Sequence, residues 1–118
     1  MNKTKKKYAG YKERYVFFAN SIPFHGHTIN QTPLGGSESA VIYMARELQH
    51  QGKKVIVFTQ THDIGYYDEV EYRSVDTFLS FIQKNIMDVF ISVRNLDVFE
   101  LPIYARLKLL WMHDAHDQ

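Results

Sequence analysis

The segment PLGGSESAVIYMARELQHQGKKVIVFT, residues 33–59, contains the clearest pattern in this chain. Two adjacent glycines, Gly35 and Gly36, precede a stretch whose apolar residues recur at spacings of one, three and four, as on one face of a helix. Ser37 is placed to cap that helix, and Glu38 lies in its first turn, where a negative charge is favoured. The pattern therefore predicts a loop that passes directly into an amphipathic helix.

The flanking residues predict that this helix connects two parallel strands. Residues 15–20, YVFFAN, and residues 54–60, KVIVFTQ, are short apolar runs typical of buried strands, and Gly52 ends the helix before the second run. Further strands are predicted near residues 71–73, 88–94 and 108–114, with helical spacing or loops between them. We therefore expect an α/β fold, a Rossmann-like parallel sheet of four or five strands with flanking helices, in the strand order 3-2-1-4-5.

The loop before the helix has the composition of a ligand-binding loop. Glycine lets the backbone approach a ligand closely, and the first amides of a helix can bind a phosphate or a sugar hydroxyl. A bare glycine pair is equally compatible with a tight turn that packs the loop on the sheet. The dinucleotide fingerprint GxGxxG and the P-loop pattern are both absent, which argues against nicotinamide and ATP sites of those kinds.

Polar residues at the ends of other predicted strands extend this candidate site. The carboxyl ends of parallel strands meet at one edge of a sheet, so Asn20, Arg94 and Asn95 are expected at the same edge as the glycine loop. Arg94 and Asn95 are candidates to bind a phosphate or an acceptor hydroxyl, and the alternative is that they simply end a strand. Asn20 has the same two interpretations, of which we favour a role in the loop.

Histidines at this predicted edge offer an alternative metal site. The spacing in HGH and in HDAH, with nearby aspartates, is one that a zinc site could use. Residues that hydrogen-bond a sugar, or exposed loop histidines, explain the same pattern, and we expect no metal. The residues concerned are His25, His27, His113 and His116 with Asp63, Asp114 and Asp117.

Composition and charge limit the other function classes. The chain has 118 residues, 45% of them hydrophobic, which suits one domain at residues 15–118 after a basic, flexible tail at residues 1–14. It contains no cysteine and no apolar run long enough to cross a bilayer, so we expect a cytoplasmic protein. The tail offers peripheral contact with an anionic membrane surface. Nucleic-acid binding is not expected, because no recognition motif accompanies the lysines.

The segment at residues 33–59 also resembles a known family. It is similar to the first βα loop, helix and second strand of retaining glycosyltransferases of family 4, which have the GT-B architecture. DVFISVR and KLLWMHD resemble the fourth and fifth strands of the same N-terminal domain, so the likeness covers roughly residues 15–114. One departure is Lys53, which follows the glycine where the family commonly has histidine. The matching residues are Gly35, Gly36, Ser37, Glu38, Ala45, Arg46, Glu47, Leu48, Gly52, Val55, Val57 and Thr59.

The resemblance implies a site and a reaction. In the family, the glycine loop lies beside the phosphates of the donor and beside the acceptor, which implies binding roles for Gly35 and Gly36 and for the adjoining Ser37 and Glu38. His113 resembles the histidine that lines the cleft near the transferred sugar, and it is the candidate catalytic residue. The family is metal-independent and needs no cofactor. It transfers a hexose from a nucleotide-sugar to a glycan or lipid-linked acceptor, with retention.

The resemblance covers only the N-terminal, acceptor-side domain. The C-terminal domain of the family carries the nucleotide pocket and has no counterpart in these residues, so we expect the chain to be inactive without that missing partner. The unfinished sheet also predicts exposed apolar surface and self-association. The alternative function is a non-catalytic sugar- or nucleotide-binding α/β module. A receiver domain is disfavoured, because Asn20 and Ser21 stand where it needs an acidic cluster.

Overall fold

The computed structural model of the chain describes residues 11–21, 23–28 and 36–112. Within these residues, one sheet of six strands is flanked by two α-helices. The helices are α1 (Gly36–His50) and α2 (Phe78–Lys84), and 3₁₀ turns occupy Val75–Thr77 and Asp97–Glu100. The strands are β1 (Arg14–Phe18), β2 (Lys54–Thr59), β3 (Gly65–Tyr67), β4 (Val70–Ser74), β5 (Met87–Val93) and β6 (Ala105–Trp111).

The sheet is mostly parallel. Its strands lie in the order β3-β4-β2-β1-β5-β6, and every neighbouring pair is parallel except β3 with β4. The order of the five parallel strands is the predicted one, and the α/β class is confirmed. The predicted parallel sheet of four or five strands is confirmed as a mostly parallel sheet, with one further, antiparallel strand at its edge that was not predicted.

The additional strand arises from a two-residue hairpin. Asp68 and Glu69 join β3 to β4, and both have positive φ, 54° and 66°. Two left-handed residues in succession are what a type I′ turn requires, and the twist of that turn matches the twist of antiparallel strands. The strand was not predicted because Asp-Glu is not one of the glycine-containing pairs that mark such turns in a sequence.

Helix α1 follows the predicted pattern, with a shift at its start. The side chains of Val41, Ile42 and Ala45 are buried against the sheet. The helix begins at Gly36, so Ser37 lies inside the first turn and is buried there. The prediction of Ser37 as the capping residue is therefore wrong, because a capping residue precedes the helix and Ser37 is the second residue within it. Gly52 has a φ of 89°, the left-handed conformation in which glycine commonly ends a helix.

Alternating residues of β1 divide the core into two layers. Phe17 belongs to the layer beneath α1, whereas Val16 and Phe18 belong to the layer beneath α2. In the second layer, the ring of Phe58 lies 5.0 Å from Phe78 and 5.2 Å from Phe81, centroid to centroid. The central strands are covered on both faces, which explains their continuous apolar sequences.

Strand β6 is an edge strand that is only partly covered. It begins at Ala105, before the predicted start at residue 108, and pairs with β5 from Met87 opposite Ala105 to Val93 opposite Trp111. Its five central residues are exposed. Its first residues do not form an apolar run, so the strand starts there because of its pairing with β5 and not because of local sequence.

The described residues include only the last part of the predicted basic tail, residues 11–14. Residues 1–10, most of the predicted tail, lie outside the described residues. Arg14 is already the first residue of β1, and the hydroxyl of Tyr11 donates a hydrogen bond to Asp88. Neither described helix has the length and apolar character needed to cross a bilayer.

Candidate functional site

The carboxyl ends of the parallel strands meet at one edge of the sheet, which we call the carboxyl edge. From β1 the chain continues to β2 and β4 on one side, and then returns to β5 on the other side of β1. The strand order thus reverses between β1 and β5. In open α/β sheets, ligands bind in the crevice at such a reversal. The carboxyl edge around β1 and β5 is therefore the candidate functional site.

The start of α1 is tied to the end of β1 at this edge. The Oγ atom of Ser21 donates a hydrogen bond to Oε2 of Glu38 at 2.8 Å. The amide of Ala19 donates to the carbonyl of Phe58 at 2.9 Å, which fixes the backbone leaving β1 against β2. Glu38 lies in the first turn of α1, where the helix dipole stabilises a negative charge. These contacts hold the first turn of α1 at the carboxyl edge.

Arg94 lies at the end of β5, on the other side of the crevice. Its φ is 60°, a left-handed conformation that costs a non-glycine residue about 1–2 kcal/mol and that is enriched at functional sites. Its amide donates to the carbonyl of Trp111 at 2.8 Å, so the backbone still belongs to the sheet. The residue is exposed, and its guanidinium brings a positive charge to the carboxyl edge.

Asn95, the other polar residue predicted at this point, is engaged locally. Its Oδ1 atom accepts a hydrogen bond from the amide of Val98 at 3.1 Å. Its carbonyl accepts one from the hydroxyl of Ser92. These bonds start the 3₁₀ turn at Asp97–Glu100, which is the strand-end role considered above.

A polar pocket of about 390 Å³ opens at the carboxyl edge beside β1, β2 and β4. The side chains of Asn20 and Gln60 line it and are joined by a hydrogen bond, which Gln60 Nε2 donates to Asn20 Oδ1 at 2.6 Å. Ser74 and Asp76 contribute from the end of β4, together with Pro23, His62 and Val75. Sequence reasoning did not name Gln60, Ser74 or Asp76. They could have been identified from their position in the sequence, because each lies at or just after the end of a parallel strand.

The sequence His25-Gly26-His27 anchors the loop after β1 to the hairpin of β3 and β4. The ring of His25 stacks on Tyr67 with centroids 4.3 Å apart, and its Nδ1 atom accepts the amide hydrogen of His27 at 3.1 Å. Arg46 of α1 donates to the carbonyl of Gly26 at 3.1 Å. A Cβ atom on Gly26 would lie 2.5 Å from Cβ of Tyr67, so only glycine fits. The motif therefore fixes residues 25–27 against the hairpin and against α1.

The same histidines face two different carboxylates. Nε2 of His25 is 3.9 Å from Asp63, and Nε2 of His27 is 3.7 Å from Asp68. Within the described ranges, no three histidine, cysteine, aspartate or glutamate side chains are grouped so as to hold a metal ion. The remaining members of the alternative zinc site, His113, His116, Asp114 and Asp117, lie outside the described residues.

A charged cluster at the opposite edge ties together the amino ends of the strands. Asp88 accepts hydrogen bonds from the hydroxyl of Tyr11 at 2.6 Å, from the amide of Arg14 at 2.7 Å and from Nη1 of Arg106 at 3.2 Å. Burial disfavours the charged carboxylate, but these bonds outweigh it and hold the pKa of Asp88 below its usual value. The hydrogen bond to Asp88 raises the pKa of Tyr11. The cluster is structural and lies away from the crevice.

An apolar groove of about 460 Å³ separates α1 from β6. It runs along the face of the sheet and contains no charged side chain among its lining residues, so it does not suit a phosphate or a sugar. It is an exposed apolar surface of the kind expected above, and self-association through it stays a prediction. Its walls include Met44 and Leu48 of α1, Val89 and Ile91 of β5, and Leu107 and Leu109 of β6.

Most of the predicted site residues lie at the carboxyl edge, and two lie outside the described residues. Gly35 and His113 are those two. Strand β6, which is parallel to β5, leads toward this edge and ends at Trp111. The predicted residues found at the edge are Gly36, Ser37, Glu38, Arg94 and Asn95.

No family model matches the chain, and no curated protein or solved structure gives a significant match.

Proposed function

We propose that this chain is the acceptor-side lobe of a retaining glycosyltransferase of GT-B architecture, acting with a second lobe that binds most of the nucleotide-sugar donor. One observation carries the proposal. The first turn of α1, tied to the end of β1 through Ser21 and Glu38, and the exposed Arg94 after β5 lie at the same edge of the sheet, at the two strands between which the strand order reverses. A mostly parallel α/β sheet is compatible with one Rossmann-like lobe of that architecture.

The diphosphate of the donor would bind where this edge is most positive. The first amides of a helix carry a partial positive charge, and the guanidinium of Arg94 adds a full one. During transfer, the bond between the anomeric carbon and the phosphate oxygen breaks, and negative charge develops on the departing diphosphate. Fixed donors and a cation stabilise that charge. Glu38 is suited to a sugar hydroxyl instead, because an ionised carboxylate accepts hydrogen bonds from hydroxyls and repels a phosphate.

A single lobe leaves the crevice open to water, which weakens these contacts. Exposed charges are screened by solvent and salt, whereas closure by a second lobe would exclude water and strengthen every polar interaction inside. We therefore expect the chain alone to bind nucleotide-sugars with millimolar or weaker dissociation constants. This expectation separates the lobe from the alternative function, because a self-sufficient nucleotide-binding module would bind far more tightly.

The test is a titration of the ¹⁵N-labelled chain with UDP-glucose and GDP-mannose, followed by amide chemical shifts. The proposal predicts weak, non-saturating changes at Ser37, Glu38 and Arg94 that are reduced in Arg94→Ala. Lys84→Ala is the matched control, because Lys84 is an exposed cation at the end of α2. Saturation at micromolar ligand would favour the stand-alone module. Changes spread evenly over the surface, or unaffected by Arg94→Ala, would contradict the assigned site.

A second test concerns the partner lobe. If the DNA downstream encodes a second Rossmann-like domain with a sugar-nucleotide site, expressing both parts together should give sugar transfer with retained anomeric configuration. Arg94→Ala should lower that activity more than Lys84→Ala does, because only Arg94 lies at the crevice. Transfer with inverted configuration would contradict the proposed class of enzyme.

A further inference from the structure

The polar pocket beside β1, β2 and β4 differs in charge from the crevice at Arg94. We propose that this pocket binds an uncharged saccharide, and that the acceptor of the proposed reaction therefore presents neutral sugar hydroxyls there instead of a phosphate. That the bound saccharide is the acceptor rests on the proposed function. The preference of the pocket for an uncharged ligand follows from its own residues. Those residues are Asn20, Pro23, Gln60, His62, Ser74, Val75 and Asp76.

The charges around the pocket disfavour an anion. None of its described lining residues is lysine or arginine, and Asp76 is an exposed carboxylate at its rim. The nearest arginine in sequence, Arg73, is occupied by an ion pair with Glu71 at 2.7 Å, and its guanidinium lies over the ring of Phe81. A phosphate in this pocket would meet the negative charge of Asp76 and no lysine or arginine among the lining residues.

Arg94 is too distant to compensate. It follows β5, whereas Asp76 follows β4, and β2 and β1 lie between these two strands. Three inter-strand spacings amount to about 14 Å, which exceeds the screening length of about 8 Å at physiological salt. The carboxyl edge is therefore divided into a cationic part near β5 and a neutral-to-acidic part near β4.

The hydrogen-bonding groups of the pocket suit hydroxyls, which both donate and accept. The bond from Gln60 Nε2 to Asn20 Oδ1 leaves the Asn20 amide hydrogens as donors and Gln60 Oε1 as an acceptor. The Oγ atom of Ser74 accepts from the amide of Asp76 at 3.2 Å, which leaves its own proton to donate. The carboxylate of Asp76 accepts from hydroxyls with charge-assisted strength. The pocket thus offers both donors and acceptors.

The walls of the pocket are held in place without a ligand. Thr59 Oγ1 donates to the carbonyl of Phe24 at 2.8 Å, which fixes the loop segment beside Pro23. Thr77 Oγ1 donates to the carbonyl of Ser74 at 2.8 Å, which fixes the turn that carries Asp76. The volume of about 390 Å³ lies near the lower end of the usual range for ligand sites, as expected for one or two sugar rings.

The experiment is a set of ¹⁵N titrations of the full chain at neutral pH, with methyl glycosides of glucose, mannose and galactose, with inorganic phosphate and with glucose 6-phosphate. Ligand is taken to about 100 mM, which detects millimolar dissociation constants. We expect at least one neutral glycoside to shift the side-chain amides of Asn20 and Gln60 and the backbone amides of His62 and Asp76. Phosphate should leave them unchanged, and glucose 6-phosphate should bind no better than its neutral counterpart.

Two matched variants test the assigned chemistry. Asp76→Ala should weaken glycoside binding by about tenfold, since it removes a charge-assisted hydrogen bond. Asp97→Ala is the control, because Asp97 is also an exposed aspartate at the start of a 3₁₀ turn after a parallel strand. The inference is overturned if no glycoside shifts the pocket, if phosphate shifts it, or if both variants act alike. The transferase proposal is judged separately, on the response of Ser37, Glu38 and Arg94 to nucleotide-sugars.

Discussion

Replacing Gly26 by alanine should destabilise the fold by about 2 kcal/mol, within the usual range for inserting a methyl group into a packed site. The added Cβ would lie 2.5 Å from Cβ of Tyr67 and 3.1 Å from Cε1 of Tyr72. The first distance is far below any normal carbon–carbon contact, and both atoms belong to a paired hairpin that cannot shift freely. The loop or the hairpin must therefore move.

The expected effect is large enough to measure by denaturant and thermal unfolding. For a domain of this size, 1 kcal/mol corresponds to about 4–6 °C in Tm, so Gly26→Ala should lower Tm by about 10 °C. The cost is steric and not conformational, because Gly26 is not among the residues with positive φ. Gly52→Ala is the contrasting control. Gly52 has a φ of 89° and nothing within 4 Å of an added Cβ, so the cost of this substitution is conformational and not steric.

Second-site variants make this prediction sharper. The closest clash is with Cβ of Tyr67, which Tyr67→Ala retains and Tyr67→Gly removes. Gly26→Ala should therefore cost nearly as much in a Tyr67→Ala background as in the natural chain, and clearly less in a Tyr67→Gly background. Equal costs in all three backgrounds, or a cost of Gly26→Ala below about 0.5 kcal/mol, would refute the close approach of this loop to the hairpin.

Three further outcomes are expected. The pKa of Asp88 is lowered in the folded protein, so its stabilising contribution is complete above the unfolded value of 3.8 and is lost as pH falls through the folded pKa. Asp88→Asn should therefore lower the free energy of unfolding in urea at neutral pH, and this loss should shrink on acidification. A loss that does not change with pH would contradict the assignment. Leu109→Asp should reduce concentration-dependent association by light scattering more than Leu79→Asp, because both leucines are exposed, 42% and 48%, but only Leu109 lines the apolar groove; equal effects would contradict association through the groove. Arg94→Gly should keep or raise Tm, because glycine tolerates a φ of 60°, while weakening nucleotide-sugar binding; a lower Tm would show that Arg94 is structural.

Elements with a strong internal period could be predicted from sequence alone. Strands β1 and β2 are continuous apolar runs, and α1 repeats its apolar residues with helical spacing, so each carries its own signal. A helix between two such runs admits few topologies, which is why the order of the parallel strands was also predictable. The placement of Gly36, Glu38 and Arg94 at one edge follows from the same reasoning, because parallel strands all end on the same side.

Elements defined by their partners could not be predicted in this way. Strand β3 depends on a turn formed by two left-handed residues, Asp68 and Glu69, and an Asp-Glu pair is not a sequence that predicts such a turn. The start of β6 depends on pairing with β5 and on the bond between Arg106 and Asp88, which are distant in sequence.

The candidate site likewise has a part that sequence predicts and a part that only the fold determines. The two parts differ in whether the interacting residues are close together or far apart in sequence. Local sequence specifies backbone periods and turn residues, since those depend on neighbours a few positions apart. The polar pocket brings together Asn20 and Gln60, forty residues apart, which share a hydrogen bond at adjoining strand ends. Asn95 was named as a ligand candidate, yet its amide oxygen is occupied by Val98. Which polar groups remain available to a ligand is set by contacts between distant segments, and these form only when the chain packs.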